Sequence, residues 1–157
     1  MTLEQALAQL AESRRALHQA IEGLSEEQMT GVQVEGVWTV KDIAGHIASW
    51  EETCLRPLRH YADGGPFDVE VIQDFSWNDE QAARKRNLPL AAVLDELAAI
   101  RQELVAAANR LSAGQQAQKV SFPWGGKGTV VKALTGLAEH ELEHVRHIQH
   151  WRGVQAK

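Results

Sequence analysis

Cysteine is almost missing: Cys54 is the only one in 157 residues. No disulfide can close within the chain, and a reducing cytoplasm is the expected compartment. No run approaches the roughly twenty apolar residues that a membrane-spanning helix requires, so no membrane partner is expected. The start, Met1-Thr2-Leu3-Glu4-Gln5, lacks the basic opening and apolar run of a signal peptide, and export is not expected. A Lys/Arg block is also lacking, and the formal net charge is -5. This excludes nucleic acid held through phosphate contacts. What is present is 44% hydrophobic content with charges of both signs interspersed, enough for one filled core and too short a chain for two full domains. The expectation is a single domain over residues 1–157.

Apolar residues recur at helical spacing in four stretches. Thr2 and Gln5 form a capping-box pattern ahead of Leu3, Leu7, Leu10, Leu17, Ile21 and Leu24, a helix through about residue 23. Arg14 and His18 interrupt that stripe near the middle, and His18 is expected as a surface or boundary residue. Gly23 ends the helix, and Ser25 with Gln28 caps a short turn. Residues 30–38 show no helical period and are expected as loop. Thr39 and Asp42 cap a second helix, whose face of Ile43, Ile47, Trp50, Leu55 and Leu58 runs to about residue 62. Residues 63–87 form a connector longer than most in bundles, with Phe67, Phe75 and Trp77 needing cover and a turn or two of helix in the polar part 78–86. Pro89 opens a third helix carrying Val93, Leu94, Leu97, Ile100, Leu104 and Leu111. A second long loop, 112–128, ends in Phe122-Pro123-Trp124-Gly125-Gly126-Lys127-Gly128. This run departs from the phosphate-cradling G-x-x-x-x-G-K-[ST], and Trp124 is instead a candidate pocket wall. The last helix runs from near Thr129 to about Trp151. The fold class is therefore all-α, a four-helix bundle with two long connecting loops.

The chemistry concentrates in the last helix, where His140-Glu141-Leu142-Glu143-His144 is followed by His147 and His150. Residues four apart on a helix lie one turn apart on nearly the same face, so His140 and His144 can share one ion. H-E-x-x-H is an ordinary way to mount two metal ligands and a carboxylate. The pair extends the edge of an arc of Val130, Leu134, Leu137, Val145 and Ile148, so it faces the bundle. His46 lies among apolar neighbours on the second helix, beside Gly45, and is the candidate third ligand. Trp50, Trp124 and His147 are candidates to line a pocket. Glu141 is the candidate base or outer partner of the metal, and Glu143 is expected on the solvated side. Cys54 is eight residues beyond His46, about 12 Å along the helix, too far to share its ion. A zinc-peptidase arrangement with His150 as third ligand would need the helix to break after His144, and nothing breaks it there.

Trp38-Thr39-Val40-Lys41-Asp42-Ile43-Ala44-Gly45-His46, together with His140-Glu141-x-x-His144, resembles the DinB-like superfamily of four-helix metalloproteins over nearly the whole chain. There is also a likeness to the ClbS/DfsB branch through Trp38 to His46. The resemblance implies one divalent ion, zinc or nickel, on His46, His140 and His144. It further implies a homodimer, a role in damage or stress responses, and small-molecule chemistry. The first function expected is transfer of a low-molecular-weight thiol, as cosubstrate, to a small electrophile; metal-assisted hydrolysis stands beside it. The non-enzymatic alternative is a bundle that sequesters a small reactive molecule.

Overall fold

The computed structural model describes residues 1–155. Its four long helices are α1 (Leu3–Ile21), α3 (Val40–Ala62), α5 (Leu90–Ala108) and α7 (Val130–Gln155). Between them lie the short helices α2 (Glu26–Gly31), α4 (Ser76–Lys85) and α6 (Ala113–Ala117). Strands β1 (Gln33–Glu35) and β2 (Trp38–Thr39) pair antiparallel, as do β3 (Lys119–Ser121) and β4 (Lys127–Thr129). No helix among the described residues is long and apolar enough to cross a membrane.

Local chemistry sets the helix starts. Thr2 with Gln5, Ser25 with Gln28, Thr39 with Asp42 and Ser112 with Gln115 each form a reciprocal capping box. Each box satisfies amide groups that the first turn leaves without partners. Pro89 stands at the N-cap of α5, where a missing amide hydrogen costs nothing. Gly23, at φ 79°, turns the chain out of α1.

α1 packs along α7 and α3 along α5, with lesser contact between α3 and α7. The core between them holds Leu10, Leu17, Ile43, Leu97, Leu134 and Ile148, each 2% exposed or less. Two expected loops carry structure of their own, and the turn or two of helix expected in the connector is a full helix. Residues 30–38 contain the first hairpin, 112–128 contain α6 and the second hairpin, and the polar end of 63–87 is the ten-residue α4. Four strands of two or three residues each are too short to show a period, which is why the sequence reads as loop there. The last helix continues past Trp151 to Gln155.

Each long helix sends one charged side chain into the bundle centre: Arg14, Glu51, Arg101 and Glu141. Arg14 donates from Nε to Glu141 Oε2 (2.7 Å) and from a terminal nitrogen to Glu51 Oε2 (2.9 Å). Arg101 donates to Glu51, to Glu141 Oε1 (3.0 Å) and to the Leu10 carbonyl oxygen. Ser13 Oγ donates to Glu141 Oε1. Glu51 and Glu141 are 1% and 0% exposed. Two guanidinium groups and two carboxylates balance in charge, and every carboxylate oxygen has a partner, the condition under which charge survives burial. Arg14, which breaks the apolar stripe of α1, reaches inward because Glu51 and Glu141 are there to receive it.

Candidate metal centre

His46 sits two turns into α3, and His140 and His144 sit one turn apart on α7. Their Nε2 atoms converge: His46 to His140 is 2.9 Å and His144 to His140 is 3.1 Å. Three imidazoles on one ion, with metal–nitrogen bonds of about 2.0–2.1 Å, hold their nitrogens roughly 3.0–3.4 Å apart. Burial, followed by the neighbouring histidines, pushes the pKa of His46 down from 6.5 to about 2. Burial and His144 likewise bring His140 down to about 4. Both rings are neutral at pH 7, the form that offers a lone pair to a metal. The donor set fits a divalent ion.

The first hairpin supplies what the sequence did not single out. Glu35 accepts from Nδ1–H of His144 at 2.9 and 3.0 Å through its two carboxylate oxygens. A carboxylate can only accept here, so the proton of His144 is on Nδ1 and its Nε2 lone pair faces the other two rings. Burial works against ionisation of Glu35, yet its bond to His144 and the adjacent histidines hold its pKa below the ordinary value. Trp38 packs on His46 with ring centroids 4.6 Å apart. The only sequence signal for this partner was the turn glycine, Gly36 at φ 56°, directly after Glu35.

His46 and His140 open onto a cavity of about 530 Å³. Trp50, Phe75 and Trp124 form its walls, and Asn78, Glu139 and Glu143 complete the lining. Trp50 donates from Nε1 to Asn78 Oδ1 at 2.9 Å and packs against Trp77 at 4.7 Å. Helix α4 therefore seals one side, with Lys85 Nζ donating to the Gly45 carbonyl oxygen (3.0 Å) and Glu96 (2.7 Å). A Cβ on residue 45 would lie 3.1 Å from Lys85 Cδ, so the glycine lets α4 approach. The Ile72 amide donates to the Pro123 carbonyl oxygen at 2.8 Å, joining the two long connectors above the bundle.

Two candidates take other places. Glu141 points away from the histidines into the arginine network; burial would raise its pKa, but Arg101 and Arg14 hold it below the ordinary value. A carboxylate committed to two guanidinium groups and a hydroxyl is a poor proton acceptor. His147 is 52% exposed and lies 3.4 Å from Glu35, outside the cavity. Glu143 is exposed as expected, but it stands at the cavity mouth beside Glu139. Cys54 is buried away from the site, and burial pushes its thiol up to about 12.

The DinB superfamily profile matches residues 9–148. A protein of Oceanobacillus iheyensis whose name proposes a metal-dependent hydrolase is 23% identical over 143 residues, 91% of this chain and 81% of its own. The mycothiol-dependent maleylpyruvate isomerase superposes with a TM-score of 0.78 at 13% identity, over 94% of this chain and 61% of that one. The chain therefore spans about three fifths of the isomerase. YfiT from Bacillus subtilis, described as a probable metal-dependent hydrolase with an unusual four-helix bundle topology, gives 0.75 at 17% identity, over 98% and 87%. At these identities the structural likeness is one of fold.

Proposed function

The chain belongs to the DinB superfamily, and from that premise we propose a divalent-metal-dependent enzyme acting on small molecules in the aromatic cavity. One observation carries the reading: the imidazole nitrogens of His46 and His144 stand 2.9 and 3.1 Å from that of His140, all three lie within 4.8 Å of one another, and His46 and His140 line a cavity large enough for a small substrate. His46, His140 and His144 would hold the ion, with zinc or nickel suited to imidazole donors. When bound, such an ion is a Lewis acid that acidifies a coordinated water or thiol. Glu35 keeps His144 in the ligating tautomer, Trp38 packs His46 in place, and Trp50 and Trp124 exclude bulk water from the reacting end.

Addition of a low-molecular-weight thiol to a small electrophile is the favoured reaction. The carboxylates buried nearest the histidines, Glu35 and Glu141, are committed to His144 and to the arginines. A thiol, with an ordinary pKa of about 8.5, needs far less help from a base than water at 15.7. Hydrolysis is the second reading, supported by the names of two relatives and by Glu139 and Glu143, which line the cavity and can accept a proton.

The test begins with metal content by mass spectrometry on protein purified without a histidine tag. About one ion per chain is expected from one three-ligand site, lost in His46→Ala, His140→Ala and His144→Ala. Thiol consumption and ester hydrolysis are then compared in loaded and chelator-stripped protein. Failure to take up zinc, nickel or manganese overturns the metalloenzyme reading, and binding of an electrophile without turnover replaces it with sequestration.

A further inference from the structure

The charge of the cavity narrows its substrate. Of the residues that line it, Glu139 and Glu143 are the formally charged ones, and neither lysine nor arginine contributes. Lys85, the nearby ammonium that bears on His46, is spent on the Gly45 carbonyl and Glu96. The two carboxylates lie four residues apart on α7, on the stripe that carries Gly136 and His140. Trp124 seats on that same stripe: a Cβ on residue 136 would stand 3.2 Å from its indole. Trp50 faces Trp124 and Phe75, with centroids 6.4 and 6.2 Å away. Two indoles and a phenyl ring beside two carboxylates is the composition that recognises an organic ammonium, through the ring quadrupole and direct charge attraction.

We propose that the cavity takes a small amine-bearing substrate, its reacting end at the histidines and its ammonium group among Trp50, Phe75, Trp124 and the Glu139–Glu143 rim. This rests on the reading of the cavity as the substrate site of the metal centre. With a divalent ion at the histidines, the pocket has a positive floor and a negative mouth. An anionic tail extending from the floor would meet the two carboxylates with nothing to pair it, whereas an ammonium tail is matched there. Phosphorylated or dicarboxylate substrates are disfavoured by the same contrast.

Three probes that share a benzyl group and lack a good metal-binding atom separate charge from shape. They are benzyltrimethylammonium, its uncharged carbon isostere neopentylbenzene, and phenylmethanesulfonate. Each is titrated calorimetrically into metal-loaded and chelator-stripped protein. The cation is expected to bind at least about tenfold more tightly than either other probe in the stripped form. A bound ion at the floor reduces that margin without reversing it. Glu139→Gln with Glu143→Gln should bring the cation to within about threefold of the hydrocarbon, while hydrocarbon binding is unchanged. Trp124→Ala should weaken both. Equal binding of the three probes, or preference for the sulfonate, overturns the proposal. A cation preference in protein that takes up no metal supports the proposal and sinks the metalloenzyme reading alone.

Discussion

A carboxylate on the second nitrogen of a metal-binding imidazole fixes its tautomer and raises its basicity, and Glu35, hydrogen-bonded to His144 Nδ1, would stand in that relation to the proposed ligand. Glu35→Gln should therefore weaken metal affinity by about 10–100-fold while leaving one ion bound at saturation, as read by competition with a chelator of known affinity. An unchanged affinity would mean that Glu35 serves the hairpin and not the histidine. His147→Ala should do little: the ring is 52% exposed, and stability should move by no more than about 0.5 kcal/mol with metal content unchanged. The sequence made His147 a pocket candidate because it shares a stripe with His140 and His144. It lies seven residues beyond His140, however, roughly 10 Å along the axis, and His46 meets only the first two turns. Stripe membership is legible in spacing, but the height at which another helix crosses is not.

At the scale of helices, the network of Arg14, Glu51, Arg101 and Glu141 takes one residue from each of α1, α3, α5 and α7. Removing one member leaves the others buried without full compensation. Glu141→Gln should cost about 3–5 kcal/mol in urea-induced unfolding, while folded variant still takes up one ion. A variant with native stability and abolished turnover would instead make Glu141 part of the chemistry. The contrast with the caps shows what a sequence discloses. Thr39 and Asp42, or Ser25 and Gln28, find each other three residues apart, so their bonds are written in the spacing. Arg14 meets residues 37 and 127 positions away. Along α1 it registers only as a charge in an apolar stripe, and its inward course follows from partners on other helices. Glu35 was missed for the same reason, being 109 positions from His144. The His46, His140, His144 cluster was legible across 94 positions because three inward histidines in one small bundle have few other ways to be satisfied.

For the molecule as a whole, the histidines join two halves. α1 packs with α7 and α3 with α5, so an ion held by His46 of α3 and the pair on α7 ties one helix pair to the other. Ligand present at a thousand times its dissociation constant adds about 4 kcal/mol. For a chain of this size chelation should then lower the melting temperature by on the order of 10 °C. The stripped protein should also respond to pH in a definite direction. His46 and His140 have folded pKa values of about 2 and about 4 against an ordinary 6.5. Above pH 6.5 both rings are neutral folded or unfolded, and they contribute no pH dependence. Below 6.5 the unfolded chain takes up protons that the folded chain refuses, so stability falls as the pH falls. The loss approaches about 1.4 kcal/mol per pH unit for each histidine, ending near pH 4 for His140 and continuing lower for His46. Melting temperatures in chelator from pH 8 to pH 5 should hold level and then drop through about 6.5, and His46→Ala should make the drop shallower. A level profile in chelator down to pH 5 would show that His46 and His140 accept protons in the folded state, and the cluster would then be a poor metal site.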